Sequence, residues 1–177
     1  MPRRNLFGVT QRHRQLLAKL GLLALLLPGL LPVTAQAATA SATLTVSVLV
    51  PASCQITATP LAFGIYTGAV DMDPSTLSIT CSNTTAYTVS LNAGLGTSPA
   101  ATVTTRHMNG PAAGGLAYQL HRDAGRTQNW GQTIGTDTVA GTGNGNAQVL
   151  TVYGQIAAGQ LVPPGTYSDT IIATVTY

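Results

Sequence analysis

From Thr43 onward the chain sets apolar residues at every second position. Leu44, Val46, Val48 and Val50 alternate with Thr43, Thr45 and Ser47, and the pattern returns at Leu77, Ile79 and Cys81 and at Tyr87, Val89 and Leu91. It recurs at Leu116, Tyr118 and Leu120, at Leu150, Val152 and Ile156, and at Ile171, Ala173, Val175 and Tyr177. Alternate residues of a strand share a face, so each run predicts a strand with one buried side. No stretch beyond residue 37 has a helical period. Between the runs lie segments rich in Gly, Pro, Asn and Thr, at 64–74, 93–99, 109–115, 123–131, 135–146 and 157–165. These read as turns, and six or seven short strands joined by turns predict an all-β sandwich.

The first run stands apart. It precedes the first cysteine, is followed at once by Pro51, and carries no charge from Ala38 to Val50. An exposed, β-branched apolar row of this kind recruits other chains. The segment is therefore either built for pairing or is an ordinary first strand, and the pattern alone leaves both readings open.

Ahead of it, Arg3, Arg4, Arg12, Arg14 and Lys19 precede an apolar run from Leu20 to Leu31, and Ala35-Gln36-Ala37 offers small residues for cleavage. This is the make-up of a signal peptide over 1–37, cleaved after Ala37. The apolar run is about a dozen residues, broken by Pro28 and Gly29, whereas a spanning helix needs about 20, so no membrane segment is expected to be retained. Arg3-Arg4 partly resembles a twin-arginine signal, but further basic residues separate it from the apolar run, which favours general secretion. The exported chain would then run from 38 to 177, which is one domain.

Charge changes the picture once this segment is set aside. Only 7% of the 177 residues are charged, against a norm of about 25%. Beyond residue 20 the cations are Arg106, Arg122 and Arg126, against Asp71, Asp73, Asp123, Asp137 and Asp169, a net charge of −2. No basic face for nucleic acid exists. The two cysteines, Cys54 and Cys81, are expected to form a structural disulfide in an exported chain. A metal pair has no support, because there is no Cys-x-x-Cys and only His107 and His121 could assist.

Catalytic patterns are also weak. His121-Arg122-Asp123 spells a kinase tripeptide without the glycine loop or lysine strand, and reads as a strand end entering a loop. Asp71-x-Asp73-Pro74 lacks the further carboxylates of a calcium loop. No Gly-x-Ser-x-Gly elbow presents a nucleophile. Gly141-Thr-Gly143-Asn-Gly145 opens no helix and reads as a hairpin loop. No enzyme activity, cofactor or metal is expected.

Several pieces together resemble a known family: Cys54-Gln-Ile56, Leu61-Ala-Phe63-Gly64-Ile65-Tyr66, Ile79-Thr-Cys81 and Tyr87-Thr-Val89-Ser-Leu91-Asn-Ala-Gly94. The series continues with Arg106-His-Met108, Leu116-Ala-Tyr118-Gln-Leu120-His-Arg-Asp123, Trp130-Gly131, Thr151-Val-Tyr153-Gly154-Gln-Ile156, Gly165-Thr-Tyr167-Ser-Asp169-Thr170 and Thr174-Val-Thr-Tyr177. In order and spacing the chain resembles the spore coat protein U family, across nearly all of 38–177. The departure is His121, where that pattern leads to an aromatic such as Tyr.

The resemblance implies an incomplete immunoglobulin-like β-sandwich lacking its last strand, as in subunits of archaic-type chaperone/usher pili, with an N-terminal donor strand over 38–50 and a pilin domain over 51–177. The implied function is a structural subunit of a surface pilus that serves attachment and biofilm formation. Its partners would be neighbouring copies or related subunits, a periplasmic chaperone and an outer-membrane usher, which exchange strands by donor-strand complementation. Donor side chains would be Leu44, Val46 and Val48, flanked by Ala42 and Val50. The acceptor groove would lie between Ser53–Thr59 and Tyr167–Tyr177, with Ile56, Ile171, Ala173, Val175 and Tyr177 on its flanks, where the chain ends one strand short. The link from Pro51 to Ser53 is too short for the donor to cross its own domain, so pairing is expected in trans. The Cys54–Cys81 bridge would tie the first strand beside the groove. Trp130 is expected to anchor a loop, and Arg106 to pair with an aspartate such as Asp123 or Asp169. Alternative readings are a secreted spore-coat-type structural protein and a minor adaptor or adhesive pilus subunit.

Overall fold

A computed structural model of the chain describes residues 35–96, 101–111 and 115–177. The expected signal peptide lies outside them as far as residue 34. The chain divides between Val46 and Ser47. In the first unit the described residues, 35–46, are exposed and form no strand. The second holds eight strands and, among the described residues, no helix.

These strands are β1 (Cys54–Ala58), β2 (Pro74–Cys81), β3 (Ala86–Leu91), β4 (Arg106–Met108), β5 (Leu116–His121), β6 (Val139–Thr142), β7 (Ala147–Gln155) and β8 (Ala173–Thr176). They form two antiparallel sheets, a five-stranded one ordered β1-β2-β7-β5-β4 and a three-stranded one ordered β6-β3-β8. From Ser75 to Cys81 the alternation predicted for β2 appears as strict alternation of buried and half-buried residues. Leu77, Ile79, Val89, Leu91, Leu120 and Ile156 are among the core residues that meet between the sheets. Cys54 stands directly opposite Cys81 in the β1–β2 register, and the two are disulfide-bonded.

Four expectations are corrected. Residues 135–146 are not all turn, because β6 pairs there with β3. Its glycine is needed for packing, since a Cβ at Gly141 would collide with the Tyr87 ring at 2.5 Å. The glycine-rich stretch after β6 is not a hairpin, because β6 and β7 belong to different sheets. The last strand is only Ala173–Thr176; upstream of it the chain is held by single backbone bonds from Asn92 N to Ile172 O and from Leu95 N to Thr170 O, and by one isolated bridge between Asn109 and Ser168. Arg106 pairs with no aspartate. It is buried on β4 and donates to the carbonyls of Asn92, Val103, Leu91 and Trp130 at 2.6–3.2 Å. Asp123 instead accepts from the backbone of Thr127 and Gln128 in its own loop, and Asp169 accepts from Tyr118. Trp130 is buried, its indole N–H donating to Val89 O at 3.0 Å.

Candidate functional site

β1 is the edge of one sheet and β8 the edge of the other, and each has a single ladder partner. Their Cα atoms approach within 8 Å without a ladder between them. From this point the chain beyond β1 and the chain leading into β8 form two walls, Ala58–Gly68 and Gln160–Ala173, around a groove of about 1330 Å³. Its floor is the core itself, including Leu77, Leu91, Leu116, Leu120, Val152 and Ile156.

Local sequence explains each wall. After β1, Pro60 has no N–H to continue a ladder. Leu61 and Phe63 then turn inward, and Gly154 on β7 makes room: a Cβ there would meet both side chains at 2.7 Å. Phe63 packs edge-on against Tyr118, with ring centroids 6.4 Å apart. In the other wall Pro163 and Pro164 interrupt hydrogen bonding, and Tyr167 donates to Pro163 O at 2.8 Å.

Asp169 is the only charged residue lining the groove among the described residues. It accepts from Tyr118 Oη at 2.6 Å, Leu95 N at 2.9 Å and Thr170 N at 2.7 Å. Burial first, and then this bond, push the Tyr118 phenol well above its ordinary range, so it stays a neutral donor. The carboxylate ties the wall to β5 and to the chain after β3. No group of three or more His, Cys, Asp or Glu that could hold a metal occurs among the described residues. An apolar floor between two unpaired edges is suited to an extended apolar segment, whose backbone would pair with the edges.

The five expected flank positions divide. Ile171 and Ala173 line the groove, Ile56 and Val175 pack on the core beside it, and Tyr177 is exposed. Leu61, Phe63 and Val162 also line the groove, beyond the flank positions the sequence points to, and their apolar character amid Gly and Pro is the sequence signal for it. Ala42, Leu44, Val46, Val48 and Val50 are all exposed, the three central ones at 86% each, and belong to no strand.

Residues 40–174 match the family model of the Spore Coat Protein U domain. The chain is 35% identical over 158 residues to Protein U of Myxococcus xanthus, covering 81% of this chain and 88% of that protein. Among solved structures, its fold is similar to a chain in the crystal structure of the CsuC–CsuE chaperone–tip adhesion subunit pre-assembly complex from archaic chaperone-usher Csu pili of Acinetobacter baumannii. The TM-score is 0.51 at 24% identity, over 72% of this chain and 40% of that one. The chain thus spans less than half the length of that structural relative, and the likeness is one of fold. With the family model covering strands β1 to β7, the start of β8 and both walls of the groove, the chain belongs to the Spore Coat Protein U domain family.

Proposed function

We propose that this protein is an exported, non-enzymatic structural subunit that polymerises into a surface pilus by donor-strand complementation. The observation that carries this reading is the pairing of opposites within one sequence: an apolar groove between two unpaired edges, and an uncharged, exposed apolar row from Ala42 to Val50. In an assembled pair, Leu44, Val46 and Val48 of one copy enter the groove of the next. Each is worth about 1.5–3 kcal/mol of transfer free energy. Such a head-to-tail contact propagates as an open filament when its rotation does not close. A periplasmic chaperone covers the groove before assembly, an outer-membrane usher exchanges the strands, and the pilus serves attachment and biofilm formation.

The description of the matching family, the Spore Coat Protein U domain, favours a second reading, a secreted coat-type structural protein. The experiment that separates the two compares sheared surface material from wild type and a Val46→Asp, Val48→Asp variant on a denaturing gel without boiling. A heat-labile ladder in wild type that is lost in the variant supports the pilus subunit. Monomer in both lanes supports the coat reading. A ladder that persists in the variant moves the donor elsewhere.

A further inference from the structure

Where β7 ends, one side chain takes over its hydrogen bonding. β5 and β7 pair from Gln119↔Gln155 to His121↔Tyr153, and continuing this register sets Ala117 opposite Ala157, beyond the last residue of β7. The Gln160 amide stands in for the missing strand. Its Oε1 accepts from Ala117 N at 2.8 Å and its Nε2 donates to Ala117 O at 2.8 Å, with Ala157 O also 3.3 Å from Nε2. The reverse amide orientation would face donor to donor and acceptor to acceptor. Tyr66, from the other wall, closes the arrangement: its hydroxyl donates to Ala157 O at 2.8 Å and accepts from Gln160 N at 3.1 Å. Gly159 N to Gly68 O, at 2.9 Å, adds a backbone tie.

Both Tyr66 and Gln160 line the groove, and neither wall segment carries a ladder there. The separation of the walls at this end therefore rests on the Tyr66 hydroxyl and the Gly159–Gly68 backbone bond, with the Gln160 amide fixing the second wall to β5. Beside the two residues stand Ile65, 89% exposed, and Leu161, 100% exposed. Both are groove-lining, apolar and uncovered, so the tie holds open a rim that an apolar occupant would cover.

We propose that Tyr66 and Gln160 form a latch that sets the width of the groove before its occupant arrives, acting as positioning residues. This rests on the reading of the groove as the acceptor of the 42–50 segment. A preset wall avoids ordering on binding, so the latch acts on both capture and retention.

The test follows a fluorescein-labelled peptide of residues 40–50 binding to the whole protein and leaving it, in wild type, Tyr66→Phe, Gln160→Ala and the double variant. Trp130 fluorescence gives Tm in parallel. The latch predicts dissociation about tenfold faster in each single variant and faster still in the double variant, because the Tyr66 hydroxyl bonds Ala157 O and the backbone N of Gln160 while the Gln160 amide separately bonds Ala117, so each change removes its own part of the tie. Tyr66→Phe removes one oxygen and keeps the ring, so it reports even if Gln160→Ala folds poorly. Wild-type peptide kinetics in variants of lowered Tm would reduce the pair to a fold-stabilising role and overturn the latch while leaving the groove reading intact. No peptide binding to wild type would overturn the groove reading and the latch with it.

Discussion

Reducing the Cys54–Cys81 bridge tests how the groove's first wall is held. β1 pairs only with β2, and the bridge joins the first residue of β1 to the last of β2 across a sequence separation of 27. In the chain-entropy model a loop of this length constrains the unfolded chain by roughly 3.5 kcal/mol. Whole-domain stabilities run about 5–15 kcal/mol, so the bridge is a large fraction of the total. The loss is also localised. A five-residue edge strand with one partner opens before the sheet behind it, and its last residue Ala58, with Thr59 after it, lines the groove. Comparing oxidised and reduced forms of the same chain avoids the cavity that cysteine replacement would leave at buried Cys81. Urea unfolding can be followed by Trp130, the single tryptophan, which is buried. Reduction is expected to lower the unfolding free energy by about 3 kcal/mol and to abolish hydrogen-exchange protection in β1 before β2. A loss under about 1 kcal/mol with β1 protection unchanged would refute the reasoning.

Arg106→Met keeps the apolar stem and leaves the carbonyls of Leu91, Asn92, Val103 and Trp130 without their donor, at an expected cost of about 3–5 kcal/mol in urea unfolding. A loss under about 1 kcal/mol would mean that water replaces the guanidinium. His121 is buried at the end of β5 with neither ring nitrogen hydrogen-bonded to a neighbouring group, and burial pushes its pKa below the ordinary 6.5. The folded chain therefore binds fewer protons than the unfolded one below that pH, so stability falls as pH drops through 6.5 and is retained above it. Urea midpoints from pH 8 to 5 should slope down in wild type and lie flatter over pH 6.5 to 5 in His121→Phe; equal slopes would assign the acid sensitivity to other groups.

What could be read from the sequence was set by how long each pattern runs. β2, β3 and β5 carry alternation over six to eight residues that the sequence shows directly, whereas in β7 the alternation is broken by the adjacent pairs Val149-Leu150 and Val152-Tyr153 and only Leu150 and Val152 mark it. β4 and β6 span three and four residues, too short for a period, and β6 carries a glycine that local propensity assigns to a turn. That glycine answers to a ring on the neighbouring strand, a tertiary fact with no trace in the nearby sequence. Arg106 failed for a related reason. In a chain so poor in charge the natural partner for an arginine is an aspartate, but this one is bonded to backbone carbonyls, which every residue possesses and no side-chain pattern reveals.

The groove is held by bonds that take over where the ladders stop. At β1 the tie is covalent, through Cys54 and Cys81. Past the end of β7 it is the Gln160 amide, which binds both backbone groups of Ala117 as a strand would. Ahead of β8 it is the Asp169 carboxylate, joining Tyr118, Leu95 and Thr170. An open sheet edge would ordinarily relax inward to cover its apolar floor, because exposed core surface is costly. Three ties with no residue in common resist that relaxation at three separate points. They keep the walls apart with side chains and a disulfide, leaving backbone edges unpaired at β1 and β8. In the proposed assembly those unpaired edges are the groups that an incoming strand would bind, so the same features that hold the domain open would leave its polymer contact to be made by main chain and apolar side chains alone.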